Sequence, residues 1–109
     1  TEVDVTRILQ LIQEQKASFQ AQHGAKITIT PFVARAICRA LQAYPLLNAS
    51  LEGDTIVMKH YVHLGIAVSV DQGVMVPVLK NCQSLSIVEI AQQIADLALK
   101  AREHRLAPN

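Results

Sequence analysis

Histidine, cysteine, serine and carboxylate side chains carry most side-chain chemistry, and in this 109-residue sequence none of them falls into a catalytic spacing. Of the four histidines, His60 and His63 are three apart in a stretch that reads as strand, which places them on opposite faces and keeps them from sharing a metal without a bend. His63 on a hairpin shoulder suits a hydrogen-bonded or exposed imidazole. His23 before Gly24 and His104 in a last helical turn suit solvated ones. Cys38 and Cys82 are too few and too far apart in sequence for a disulfide framework or a zinc site, so they are expected to be small, reduced core residues. The carboxylates fall on caps, turns and solvated faces, and none pairs for acid/base work. There is no G-x-S-x-G elbow, phosphate-binding glycine run or dinucleotide fingerprint.

The elements that would position any chemistry are easier to place. Asp4 is a good N-cap for a helix over roughly 5 to 22, with Val5, Ile8, Leu9, Ile12 and Phe19 near a 3.6 period and Gly24 as its stop. Ile27, Thr28 and Ile29 form a brief extended segment before Thr30 caps and Pro31 opens a second helix. In that helix Val33, Ala36, Ile37, Ala40, Leu41 and Tyr44 are expected to face a core, with Arg35, Arg39 and Gln42 as the polar stripe, and Pro45 ends it. Glu52-Gly53-Asp54 turns a short exposed hairpin. A longer hairpin follows: Ile66, Val68 and Val70 share one face, Ala67 and Ser69 the other, around a three-residue turn at Asp71-Gln72-Gly73. Its apolar faces predict cover on two sides, and Pro77 predicts an edge or a bulge. Ser86 and Glu89 form a capping box for the last helix, with Leu85 and Ile90 as the staple; its apolar face runs from Ile87 to Ala101, and Lys100, Arg102, His104 and Arg105 complement its dipole. Helices flanking antiparallel hairpins, without a βαβ rhythm, indicate an α+β layer fold.

Composition narrows the function classes. Half of the residues are hydrophobic and 17% are charged, with a net charge of +1 and no basic cluster, which argues against disorder and against nucleic-acid binding. No apolar run is long enough for a membrane helix, so no membrane partner is expected. This much apolar residue in one small domain suggests surface reserved for a partner, and self-association is expected. The chain opens in what reads as the end of a strand and closes just beyond a helix, so an excised piece of a longer polypeptide is expected.

Two segments carry a resemblance: Tyr44-Pro45-Leu46-Leu47-Asn48-Ala49-Ser50-Leu51, and the run from Leu64-Gly65-Ile66-Ala67-Val68 to Val76-Pro77-Val78. The order helix, YP-x-LNASL turn, short hairpin, GIAV-to-VPV hairpin and amphipathic helix resembles the catalytic domain of the E2 components of 2-oxo acid dehydrogenase complexes, the dihydrolipoamide acyltransferases. It covers nearly all of residues 1–109, as the N-terminal half of that domain.

The resemblance implies a chloramphenicol acetyltransferase-like mixed sheet with helices packed on it, present here as a partial domain. It implies homotrimers built into a larger core, with coenzyme A and lipoamide as substrates meeting in a channel between subunits, and no metal. The implied partners are a lipoyl domain and the E1 and E3 subunits of the parent complex, in bacterial cytoplasm or mitochondrial matrix. The family's base is a histidine in an HxxxDG motif and its oxyanion donor a serine near a TxSN segment; neither motif occurs in this sequence, so the catalytic His and Ser are expected beyond residue 109. Thr28 and Ser69 are the positions implied to contact coenzyme A. Family helices often carry an arginine in LRKQL or LREEL, whereas Leu11-Ile12-Gln13-Glu14-Gln15 has none. The alternatives are a non-catalytic scaffold or lipoyl-domain-binding module of the same fold, and a stand-alone chloramphenicol-type acyltransferase. Asn48 and Ser50 are expected to satisfy local backbone groups of their turn. The face bearing Val74, Val76 and Val78 is expected to pack in a closed threefold assembly.

Overall fold

The computed structural model describes residues 1–103. Helix α1 (Thr6–His23) begins one residue later than expected: the Asp4 carboxylate accepts from the Thr6 hydroxyl and from the Thr6 N–H, the latter at 2.9 Å, capping from just outside the helix, and these bonds, the hydroxyl's foremost, hold the Asp4 carboxyl below its ordinary value. Gly24 takes the left-handed conformation (φ 66°) and its N–H closes on Gln20. Residues 27–29 are not in a strand pairing. Ile29 already has helical angles and its carbonyl accepts from Phe32 and Val33, so Ile29, not Thr30, stands at the N-cap of α2 (Thr30–Ala43).

A 3₁₀ turn (Pro45–Asn48) leads into β1 (Ala49–Glu52) and β2 (Thr55–Met58), an antiparallel hairpin turned by Gly53 at φ 62°. The long hairpin consists of β3 (Leu64–Gly65), β4 (Val68–Val70), β5 (Gly73–Met75) and β6 (Val78–Leu79). Leu64 stands opposite Leu79, Gly65 opposite Val78, Val68 opposite Met75 and Val70 opposite Gly73, which is one unbroken register. Pro77 therefore introduces no bulge. It interrupts the ladder because it has no N–H to give, while its carbonyl still accepts from Ile66 N–H at 2.9 Å. The turn holds two residues, Asp71 and Gln72, and not three, because Gly73 at φ 131° already pairs with Val70.

A second 3₁₀ turn (Cys82–Ser84) precedes α3 (Ile87–Arg102), whose capping box is complete: Ser86 Oγ accepts from Glu89 N–H and the Glu89 carboxylate from Ser86 N–H, both at 3.1 Å. Lys100 pairs with Asp96 one turn back at 3.0 Å. His104 and Arg105 lie outside the described residues.

The main core joins α2, the root of the long hairpin and α3 through Ala34, Cys38, Val62, Leu79, Cys82 and Ile90. A second cluster joins Phe19 of α1 to Ala25, Ile27 and Ala91 of α3. The buried face of α2 is thus Ala34 and Cys38 with Leu41 beside them, spaced i, i+4, i+7; of the expected face only Leu41 packs on the core, whereas Val33, Ala36, Ile37, Ala40 and Tyr44 are exposed, and Arg35 is half-buried. The helix is apolar around most of its circumference, so periodicity does not select a side. Cys38 and Cys82 are both fully buried and reduced. Burial, a hydrogen bond to Cys38 and the charge of that neighbour push the Cys82 thiol from its ordinary 9.0 to about 12, with the Arg35 guanidinium pulling the other way.

The molecule is open. Its radius of gyration is 15.8 Å, against roughly 13 Å for a compact chain of this length. Its accessible surface is 7946 Å², against about 6,000 Å² for a folded monomer of this mass. Large apolar side chains lie on that surface: Leu46, Leu47, Leu51, Ile56, Val74 and Val76 are all exposed.

Two predictions follow from this packing. A Cβ at Gly65 would meet Val76 Cγ1 at 2.8 Å across the long hairpin; Gly65→Ala is expected to lower stability by about 1–3 kcal/mol, and Val76→Ala in the same chain to restore most of it, read by urea denaturation. Because folding holds the Cys82 proton above its unfolded affinity, stability is full below about pH 9 and falls as pH rises toward 12. That alkaline decline should be shallower in Cys82→Ala, measured by denaturation midpoints at successive pH values.

Candidate functional site

Thr28 lies where α1 and the segment entering α2 diverge. It lines an open groove of about 810 Å³ with Ile12, Gln13, Lys16, Gln20 and Lys26, over a floor that includes Ala17 and Ile27. The threonine is exposed and its hydroxyl makes no hydrogen bond among the described residues. Two lysines, two glutamines and a free hydroxyl above apolar carbon make a surface that can hold a phosphorylated ligand with an apolar portion. Glu14 also lines the groove and sets a limit on its positive field. Ile12 stands in the helical turn where an arginine is frequent in the family, so the ammonium groups of Lys16 and Lys26 are the groove's cations.

Ser69 is placed differently. Ile66 N–H bonds to Pro77, so in the alternation of an antiparallel pair the residues facing each other at 65/78, 67/76 and 69/74 are the non-hydrogen-bonded pairs, and their side chains share one face. That face carries Gly65, Ala67 and Ser69 along one strand and Val74, Val76 and Val78 along the other. All six are exposed, while the opposite face presents the buried Val68, Pro77 and Leu79 to the core. The expected cover on two sides is therefore present on one side only within this chain. Ser69 lines a bare apolar face and does not line the Thr28 groove, so the chain does not bring the two residues together.

A third set of polar contacts surrounds the strand that enters the long hairpin, and no sequence periodicity marks it. The Asn48 amide donates to Tyr61 C=O at 2.7 Å, Gln83 Oε1 accepts from Val62 N–H at 2.7 Å, and Cys82 N–H donates to Val62 C=O at 2.8 Å. His63 Nδ1 accepts the Asn81 N–H at 3.0 Å, an assignment that leaves its other nitrogen to carry the proton, and its ring stacks on Tyr61 with centroids 4.3 Å apart. Asn81 reaches that donor position through a left-handed backbone (φ 53°), which asparagine tolerates better than most residues. Asn48 and Ser50 were expected to serve their own turn. Instead Asn48 bridges thirteen residues, and Ser50 Oγ accepts from Lys59 Nζ at 2.7 Å across the β1–β2 hairpin. Of these residues Asn48, Lys59, Tyr61, Val62 and Gln83 bound a smaller pocket of about 230 Å³ between α2 and His60. The described residues hold no group of three or more His, Cys, Asp or Glu able to bind a metal. No helix among them is long and apolar enough to cross a membrane.

On its own the chain is an α+β layer with one bare sheet face and a solvent-open groove, and similarity to known proteins supplies the family. The family profile for the 2-oxoacid dehydrogenases acyltransferase catalytic domain matches residues 1–109. The chain belongs to that family. It is 41% identical over 102 residues to the dihydrolipoyllysine-residue acetyltransferase component of the acetoin cleaving system of Bacillus subtilis, covering 94% of this chain and 26% of that protein. It is 40% identical over 106 residues to the dihydrolipoyllysine-residue succinyltransferase component of the 2-oxoglutarate dehydrogenase complex of Staphylococcus aureus, covering 96% and 25%. Among solved structures, the dihydrolipoamide acetyltransferase of Azotobacter vinelandii superposes with a TM-score of 0.89 at 35% identity, over 95% of this chain and 43% of that one. A probable dihydrolipoamide acetyltransferase from Listeria monocytogenes gives 0.93 at 34% identity, over 98% and 46%. The chain thus spans about a quarter of the curated relatives and under half of these solved structures.

Gln83→Ala should leave the Val62 N–H without its partner beside the core, at a cost of about 1–3 kcal/mol. Loss of exchange protection at the Val62 amide, with protection in α3 retained down to the lower global stability, is the expected signature.

Proposed function

We propose that residues 1–109 are the N-terminal half of an E2 acyltransferase catalytic domain, and that the whole protein transfers an acyl group between dihydrolipoamide and coenzyme A. The observation that carries this reading is the conjunction of a family match over the full sequence with a groove at Thr28 and an uncovered face at Ser69. The two coenzyme-contact positions implied by the family sit on separate surfaces of one chain. A channel formed between neighbouring copies would bring one chain's Thr28 groove toward another's Ser69 face.

In this reading the chain binds and positions. The Thr28 hydroxyl, flanked by Lys16 and Lys26, holds the phosphorylated part of coenzyme A, and Ser69 contacts the coenzyme from the hairpin side. The proton-accepting histidine and the oxyanion donor come from polypeptide outside residues 1–109, since no HxxxDG motif occurs within them. Acyl transfer then needs no metal: a base takes the thiol proton, the thiolate attacks the thioester carbonyl, and the dihydrolipoamide thiolate leaves and is protonated. The uncovered valine face favours a closed threefold assembly of copies, built further into a multienzyme core that engages a lipoyl domain and the E1 and E3 subunits. The compartment that goes with such a complex is bacterial cytoplasm or mitochondrial matrix. Absence of the base motif is also what a non-catalytic scaffold of the same fold would show.

The intact polypeptide should release acylated coenzyme A from an acyl-dihydrolipoamide donor and sediment as a trimer or a multiple of one. A trimer that binds a lipoyl domain without turnover would select the scaffold reading, and a monodisperse monomer would remove both. Thr28→Ala is expected to weaken coenzyme A binding by about fivefold, the equivalent of one hydrogen bond, with the thermal midpoint unchanged; titration calorimetry reads both the loss and its size.

A further inference from the structure

Two thiols forty-four residues apart in sequence meet in the core. Cys38 lies in the third turn of α2, and Cys82 opens the 3₁₀ turn ahead of α3. Each is fully buried and reduced, and both belong to the one core cluster in which α2 packs on that turn, so the two thiols share the seam; the influence of Cys38 on the Cys82 thiol agrees. Neither takes part in the groove, the sheet face or the polar contacts around Val62 that use side chains, and acyl transfer has no need of them.

We propose that Cys38 and Cys82 form an oxidisable dithiol that closes to an intramolecular disulfide, tying α2 to the turn that leads into α3. With hydrogen peroxide as the oxidant, one thiol is oxidised to a sulfenic acid and one water is released. The second thiol then attacks that sulfur, the S–S bond forms, and the sulfenic oxygen leaves as a second water. Two thiols thus lose two electrons and two protons, and one peroxide becomes two waters.

The same packing gates the reaction. In the closed seam burial keeps Cys82 protonated, and a protonated, inaccessible thiol is a poor nucleophile. Access requires the turn at 82–84 to open, which breaks the Cys82 N–H to Val62 C=O bond at 2.8 Å and the Ser84 Oγ to Asn81 C=O bond at 2.9 Å. The device therefore reports loosening of the α2–α3 seam, and closing it shortens the free chain between residues 38 and 82 in any unfolded state.

Peptide mapping by mass spectrometry tests this on the intact polypeptide, treated with peroxide and then with iodoacetamide. The expected main product is one peptide pair linked through Cys38 and Cys82, lighter by two hydrogens and separated by dithiothreitol. Its formation should speed up about tenfold or more in sub-denaturing urea, and the linked protein should melt at a higher temperature than the reduced one. In Cys82→Ser the product at Cys38 should instead run on to sulfinic acid. Sulfinic or sulfonic acids on unlinked peptides of the unsubstituted protein, disulfides only between chains, or two unreacted thiols in urea that exposes the Val62 amide would each overturn the proposal.

Discussion

The structure depends on one small buried cluster, to which Leu79 at the root of the long hairpin and Ile90 in the first turn of α3 both belong, each without solvent exposure. The capping box at Ser86 fixes where α3 starts, and the 3₁₀ turn at Cys82 fixes how the chain gets there, so Ile90 joins Leu79 in that cluster only if both local structures form. Around this pair α2 contributes small residues, Ala34 and Cys38, which let its backbone approach. Val62 completes the cluster, with its N–H and C=O both bonded to the turn beside it. A core this small leaves little surplus stability, and each of its members carries a large share.

The hairpin itself divides structure from function. Its inner face is held in the core, whereas its outer face, Gly65, Ala67 and Ser69 beside three valines, has nothing over it in this chain. Only glycine fits at position 65, because the Val76 side chain occupies the space a Cβ would take. Pro77 allows the strand to continue in register while one ladder bond is lost, so the outer face stays flat through the interruption. An exposed apolar face of this kind, on a chain with about a third more surface than its mass requires, is the surface that the proposed assembly would cover.

Much of the fold was legible because its signals are local. Gly24, Gly53 and the Ser86/Glu89 box each announce a stop, a turn or a start within four residues, and the structure uses them in those roles; Gly73 supplies the expected positive φ, but from the first paired position after the turn. The face of α2 was not legible, since Val33 and Ile37 are as apolar as the residues that won the core and only the third dimension distinguishes them. The bonds of Asn48 to Tyr61 and Gln83 to Val62, and the meeting of Cys38 with Cys82, were invisible for the same reason: each joins positions thirteen to forty-four residues apart with no periodicity to mark them. Chemistry was legible only through the family motifs. Thr28 and Ser69 have no spacing of their own that singles them out, and the groove beside Thr28 became visible only once α1 and the 26–28 segment were placed in space.

The central claim is that the valine face becomes an interior surface when the protein assembles. In the observed register the side chains of Val74, Val76 and Val78 project onto the exposed outer face, beside Ala67 and Ser69. Carbene footprinting of these three side chains, compared between the assembled intact protein and the same protein held dilute as single subunits, tests the claim directly. The account predicts strong protection in the assembly and full labelling in the single subunits; full labelling in both would contradict it.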